Sequence, residues 1–280
     1  MTQREEQVVL VTGCSTGIGR ALARELRGRG HRPFATARRL ESIADLAGEG
    51  IDTVQLDVQD TRSIHAAVQA VLDRTGRVDV VVNNAGVNIF GPLAETPLES
   101  LRELFETNVL GLAAVTQAVF PHMADRRAGL IVNVGSIVGV LPTPFAGGYC
   151  ATKSAVHMFS EVLRMEVSPL GIDVVVVQPG GVRSSIADSG ARDLARYRSQ
   201  GSRYQRVYAG IARRTYASQE NPMPAEDFAR ELVTRAFATP PPRLIRLGTG
   251  TDYLPQLAEL PGEQRDAMLS AHYGLNDLAK

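Results

Sequence analysis

Tyr149 and Lys153, in the stretch YCATKSAV, stand four residues apart in what reads as the opening turns of a helix. Positions i and i+4 share one helix face, so the ammonium can sit near the phenol oxygen or near groups beside it. A free tyrosine titrates at about pH 10, roughly three units above neutrality, so a phenol that trades protons at working pH needs a stabilised phenolate. A neighbouring cation provides that stabilisation. Alone, such a pair is a common surface feature; its weight comes from Ser136, which ends the apolar run LIVNVGS, and from Asn108 in FETNVLG. The Ser136 hydroxyl is suited to donating to a carbonyl oxygen as negative charge develops there, and equally suited to capping a strand end.

Short β-branched runs alternate with longer amphipathic stretches and provide the scaffold for these residues. The order is QVVLVT, a helix through Arg29, HRPFATA, DTVQLDV, a helix from Thr61, VDVVVNNAG, a long helix after Pro97, GLIVNVGS, a helix from Tyr149, IDVVVVQPG and, late, RLIRLG. This rhythm predicts an α/β chain with a Rossmann-like doubly wound parallel sheet, its strands buried on both faces and so apolar throughout, as from Val174 to Val177. Such sheets bind ligands outside the carboxyl ends of their strands. The residues to inspect are Thr12 to Gly19, Ala37 to Arg39, Asp57 and Val58, Asn83 to Gly86, Ser136, and Pro179 with Gly180.

Composition narrows the function class. The 280 residues, 44% hydrophobic and 21% charged, predict one domain over 1–280 with a substantial core. Thirty basic residues balance thirty acidic ones, so bulk charge argues against nucleic acid or an anionic membrane and for a small-molecule partner. The N-terminal MTQREEQVVL lacks a secretory apolar segment, and no run reaches the roughly 18 apolar residues of a membrane span, so a cytoplasmic location is expected. Cys14 and Cys150 fit no disulfide or metal-ligand spacing, and the five scattered histidines predict no metal.

VTGCSTGIG follows the first strand and opens the first helix, with glycines at 13, 17 and 19. Glycine permits a tight turn and close approach of a phosphate, and the helix start offers free N–H groups and partial positive charge; a dinucleotide diphosphate fits there. The second strand ends ATARRLE, giving Arg38 and Arg39 with no acid before Glu41. An acid at this position would receive the ribose hydroxyls of NAD, whereas guanidinium suits the 2′-phosphate of NADP(H), the expected cofactor.

Taken in order, the glycines of Thr12 to Gly19, Asn83-Asn-Ala-Gly86, Asn108, Ser136, Tyr149-x-x-x-Lys153 and Pro179-Gly180 resemble the short-chain dehydrogenase/reductase family over roughly Val8 to Ser184. TGCSTGIG with ATARR is similar to NADP-preferring members that act on hydroxysteroids, retinoids or acyl-dihydroxyacetone phosphate. The resemblance implies that Tyr149 is the general acid for carbonyl reduction and the base for the reverse. It implies that Lys153 holds the nicotinamide ribose and lowers the tyrosine pKa, Ser136 polarises the substrate oxygen and Asn108 positions a water. It assigns Thr12, Gly13, Ser15, Thr16, Gly17, Ile18 and Gly19 to the diphosphate, Arg38 and Arg39 to the 2′-phosphate, and Asp57 and Val58 to adenine. Asn83, Ala85 and Gly86 would lie beneath the adenosine ribose, and Pro179, Gly180 and Val182 beside the nicotinamide. Where the family often has threonine, Ser184 retains the hydroxyl. Relatives pair through the long helices, which implies a homodimer or homotetramer.

For the substrate, Val138, Leu141 and Phe145 are expected to border a cleft with few polar handles, suiting a bulky, apolar ketone or aldehyde. Residues 184–222 interrupt the strand–helix rhythm with seven arginines (192, 196, 198, 203, 206, 213, 214) against Asp188, Asp193 and Glu220. Tyr204, Tyr208 and Ile211 recur there at helical spacing, predicting a lid over the cleft whose net charge either attracts an anionic substrate end or forms a solvated outer face. Two rival readings are a nucleotide-sugar epimerase or dehydratase, which needs a larger C-terminal domain, and an NADP-binding sensor without catalysis, in which the tyrosine or lysine is usually lost.

Overall fold

Alternate residues of the first strand enter opposite cores: Val9 and Val11 pack on one face of the sheet, Val8 and Leu10 on the other. That two-sided burial is what an all-apolar run requires, and it holds in the middle of the sheet, whereas the two edge strands keep exposed positions. The computed structural model describes residues 6–185, 191 and 194–279. Seven strands, β1 (Val8–Val11), β2 (Arg32–Ala37), β3 (Asp52–Gln55), β4 (Val80–Asn83), β5 (Gly129–Val134), β6 (Ile172–Pro179) and β7 (Leu244–Leu247), form one sheet. All pairings are parallel, in the order β3-β2-β1-β4-β5-β6-β7. The order reverses between β1 and β4, so the chain leaves these neighbouring strands in opposite directions and opens a crevice at their carboxyl ends.

Helices cover both faces. On one side α1 (Gly17–Gly28) and α8 (Ala225–Ala236) bring Leu22, Leu26, Phe228 and Leu232 onto Val9, Val11 and Val132. On the other, α3 (Thr61–Thr75) and α5 (Gly111–Arg126) bring Ile64, Val68, Val115 and Val119 onto Leu10, Val81 and Val174. Local chemistry sets the ends of α3: the Asp60 carboxylate accepts from the Arg62 N–H at 2.9 Å, and Gly76 closes the helix in the left-handed conformation at φ +72°. The remaining helices are α2 (Ala44–Gly48), α4 (Leu98–Phe105), α6 (Gly147–Val167), α7 (Tyr208–Tyr216), α9 (Leu254–Glu259) and α10 (Gly262–Tyr273).

The sequence reading needs revision in two places. The long helix expected after Pro97 is α4 and α5 joined by a π-helical turn, Glu106–Leu110, that carries Asn108. Such a turn re-aims one side chain inward, and Asn108 is indeed buried. In the segment after β6, Tyr204 precedes a single 3-10 turn (Gln205–Val207) and the helix begins only at Tyr208, so Tyr204, Tyr208 and Ile211 do not share one helix. Arg192, Asp188 and Asp193 lie outside the described residues. The described part of this segment joins a third core, in which Leu194, Tyr197, Val207 and Ile211 pack with Leu141, Phe145, Leu269 and Tyr273.

At the amino edge of the sheet one charge is locked in place. The buried Asp79 carboxylate accepts from the Val8 N–H at 2.8 Å, Arg77 Nε at 2.9 Å and Arg126 Nη2 at 2.5 Å, tying β1 to the residues before β4 and to the end of α5.

Candidate active site

In-register strand ends set the site. Val11 lies beside Val82, Asn83 beside Asn133 and Val134 beside Val177, so the loops after β1, β4, β5 and β6 emerge on one edge. The first loop needs its glycines: Gly13 has φ +73°, and a Cβ there would stand 2.8 Å from Ala85 Cα. Gly19 is packed against the Gly13 carbonyl oxygen and the Asn84 amide. Asn84 secures the loop by donating to the carbonyls of Thr12 (2.9 Å) and Gly13 (3.1 Å), while the Thr12 hydroxyl accepts from the N–H groups of Asn84 and Ala85. Thr16 precedes α1 without capping it, so the first N–H groups of that helix remain open to an anion.

A cavity of about 860 Å³ runs along this edge. Of the residues singled out in the sequence, its wall contains Gly13, Ser15, Thr16, Gly17, Ile18, Arg38, Asp57, Val58, Ala85, Gly86, Ser136, Val138, Leu141, Tyr149, Lys153, Pro179, Gly180, Val182 and Ser184. Thr12 and Gly19 stand behind the glycine loop as its supports. Arg39 is exposed off the wall, its carbonyl accepting from the Ser42 hydroxyl at 2.6 Å. Asn83 is turned into the sheet interior, where its amide donates to Thr116 Oγ1 at 3.0 Å and Asn133 Oδ1 at 2.9 Å. Phe145 and Tyr204 meet edge to face in the third core, 6.3 Å between centroids, and the Arg198 guanidinium lies 4.9 Å from the Tyr208 ring; none of these aromatics reaches the wall.

The reactive groups converge where α6 starts. Ser136, Tyr149 and Lys153 are all buried on the cavity wall. Burial pushes the Tyr149 phenol up to about 12, opposed by a hydrogen bond with Ser136 and by the positive charge of Arg214. Burial also brings the Lys153 ammonium down to about 8; its Nζ donates to the Val134 carbonyl at 2.8 Å and lies 5.6 Å from the centre of the Tyr149 ring. Asn108 sits behind this group: Oδ1 accepts from the Val87 N–H at 2.8 Å, and Nδ2 donates to the Val87 carbonyl at 2.9 Å and to Thr152 Oγ1 at 3.1 Å. The Thr152 hydroxyl in turn donates to the Tyr149 carbonyl at 2.8 Å. His157 supports the other side, its ring filling the space left by Gly135 and Gly139; burial lowers its pKa to about 4, with Lys153 and Arg246 adding to the shift.

A buried phenol and ammonium thus share one cavity wall with the glycine loop and the uncapped start of α1. The profile of the short chain dehydrogenase family matches residues 7–194. The chain belongs to the short-chain dehydrogenase/reductase family. It is 35% identical over 203 residues to the 3-ketodihydrosphingosine reductase of Bacteroides thetaiotaomicron, covering 71% of this chain and 72% of that one. It is 37% identical over 183 residues to the NADPH-dependent 1-acyldihydroxyacetone phosphate reductase of Schizosaccharomyces pombe, covering 65% and 62%. A crystal structure of a short-chain dehydrogenase from Streptomyces avermitilis superposes with a TM-score of 0.80 at 32% identity over 98% of each chain. Solved structures of this fold include one in complex with NADP+ and one in complex with NAD. This short-chain dehydrogenase/reductase is therefore an oxidoreductase by family, and no described helix is long and apolar enough to cross a membrane.

Several wall residues escaped the sequence reading. Asn84 was passed over for its neighbour Asn83; the two alternate across the strand end, and only the structure shows which one turns to the loop. Asn88 and Phe90 join the wall near Tyr149, beside Arg214, which the sequence marked only as one of seven arginines, and Tyr253, Leu254, Leu257, Met268, Leu269, His272 and Tyr273 come from α9, α10 and the residues around them. Leu269 and Tyr273, four apart, are the buried residues of α10; nothing local in the sequence indicated what that face covers.

Proposed function

We propose that this short-chain dehydrogenase/reductase interconverts a ketone or aldehyde and an alcohol, with NADP(H) as cofactor and Tyr149 as proton donor and acceptor. The observation that carries the reading is the convergence of Ser136, Tyr149 and Lys153, all buried, on the wall of a cavity continuous with the glycine loop. The residues present fit a dinucleotide: the Gly13 to Ile18 backbone with the uncapped start of α1 suits the diphosphate, and Pro179, Gly180, Val182 and Ser184 suit the nicotinamide end. NADP(H), when bound, supplies a hydride in reduction and accepts one in oxidation. Arg38, on the wall at the end of β2, suits a 2′-phosphate and supports NADP(H) over NAD(H).

The side chains then have separate tasks. Ser136 donates to the substrate oxygen. A phenol held near 12 stays protonated at neutral pH and is ready to give its proton to a developing alkoxide; in the reverse direction Ser136 and Arg214 make its loss less costly. Asn108 acts at one remove, clamping Val87 and Thr152 so that the first turn of α6 keeps its position. The described part of residues 184–222 serves as the substrate cover, α7 packing with α10 beside the cleft, and the apolar wall at Val138, Leu141, Leu257 and Leu269 suits a bulky substrate body.

Assembly as a homodimer or homotetramer is supported by exposed apolar side chains on the helices beside the site: Leu98, Phe105 and Leu110 along α4 and the turn after it, and Met158, Val162 and Met165 on α6. The deciding experiment is NADPH oxidation with a panel of bulky ketones and aldehydes, wild type against Tyr149→Phe. Turnover that collapses in the variant supports the reading; turnover that survives the loss of the phenol overturns it.

A further inference from the structure

Arginines crowd the segment after β6, but their environments differ. Arg196, Arg198, Arg203, Arg206 and Arg213 are exposed, whereas Arg214 is 6% exposed and lies on the cavity wall. Its Nε is buried with no hydrogen-bond partner, and among the described residues no carboxylate pairs with it. The guanidinium stands 5.0 Å from the centre of the Phe90 ring. Phe90 packs with Ala146, Cys150 and Val138, which flank Tyr149 and Ser136, so the charge is held beside the reacting groups.

Lys153 reduces the cost of burial by losing affinity for its proton; an arginine stays charged at any working pH and has no such escape. Stacking on Phe90 offsets only part of that cost. The acids that share the wall do not offset the rest: Asp57 stands with the β3 loop, and Glu220 is exposed. A second unpartnered group, the buried Asn88 Oδ1, lies on the same wall and is free to accept from a substrate hydroxyl or N–H.

We propose that the substrate carries an oxyanion group, a carboxylate or a phosphate, and that Arg214 binds it while the apolar body lies against Leu141, Leu257 and Leu269. This rests on the carbonyl–alcohol reading of the site. The selectivity follows from charge-assisted, forked hydrogen bonds inside a buried cleft, where a neutral analogue leaves the guanidinium unpaired.

The test uses matched ketones that differ only in the head group, a free carboxylate, its methyl ester and a phosphate monoester, with NADPH and wild type, Arg214→Met, Arg214→Lys and Tyr149→Phe. Wild type is expected to prefer one of the anions over the ester by about 10- to 100-fold in kcat/KM. Which anion wins identifies the head group. Arg214→Met removes the preference, Arg214→Lys restores part of it, and neither lowers NADPH binding measured by fluorescence. Equal use of anion and ester by wild type, or a preference retained in Arg214→Met, overturns the assignment while leaving the general reaction intact. Loss of Tyr149 dependence overturns the reaction instead. Heat protection by the keto acid gives a readout without turnover: protection of wild type but not Arg214→Met supports the oxyanion site, and equal protection of both overturns it.

Discussion

The two edges of the sheet treat buried charge in opposite ways. At the amino edge, Asp79 is met by a backbone N–H and two guanidinium groups, so its desolvation is offset within the fold. At the carboxyl edge, Arg214 is just as inaccessible but has no hydrogen-bonding or ionic partner among the described residues, and the Tyr149 and Lys153 pKa values are displaced by burial. Saturated charge holds elements together; unsaturated charge in a cavity marks where a ligand completes the coordination.

The sharpest break between the edges is expected at Tyr149. Tyr149→Phe should lower kcat for ketone reduction by about 10²- to 10⁴-fold, the usual range for a positioned proton donor, with an unchanged melting temperature. Asp79→Ala should do the reverse. It leaves Arg77 and Arg126 without their shared carboxylate and should cost about 3 kcal/mol in denaturant unfolding, the low end for a broken buried pair because both arginines are partly exposed, while kcat/KM of the folded protein holds. A stable Asp79→Ala variant would remove the contrast. Arg214→Met should be neutral or stabilising in the same unfolding measurement, since it removes an unpaired buried charge.

Arg38→Ala should weaken NADPH by about 10-fold, the value of a lost charge-assisted contact, and leave NADH binding alone. Equal weakening of both would show that Arg38 reads something other than a 2′-phosphate. The smallest effect concerns acid. His157 binds its proton at about 4 in the fold against 6.5 when unfolded, so between those values the unfolded chain takes up a proton that the folded chain refuses. Stability should therefore decline as pH falls from 6.5 towards 4, and His157→Gln should flatten that decline in a melting-temperature profile. Lys153 has the same sign at higher pH: its contribution should make the fold gain stability between about 8 and 10.5.

Much of this was legible before any coordinates. The apolar runs specified two-sided strands, and Gly13, whose left-handed turn and contact with Ala85 admit no side chain, carries the same message in sequence and structure. Tyr149 and Lys153 share a helix face at any i, i+4 spacing. The substrate end was much less so. Phe145, Tyr204 and Tyr208 carried the expected aromatic signal yet fill a core behind the wall, whereas Arg214 was one of seven similar arginines and nothing in the sequence near Tyr273 pointed to the cleft.

Residue type and spacing determined the parallel α/β order, the glycine loop and the tyrosine–lysine pair, because backbone conformation and helix periodicity act over a few residues. Only the tertiary structure decided that α7 and α10 fold back over the carboxyl edge, that Asn84 rather than Asn83 secures the loop, and that one arginine is buried beside the phenol while its neighbours face water. Those outcomes depend on contacts between segments tens of residues apart, and nothing in the local sequence of Arg214 distinguishes a solvated charge from one held ready for a ligand.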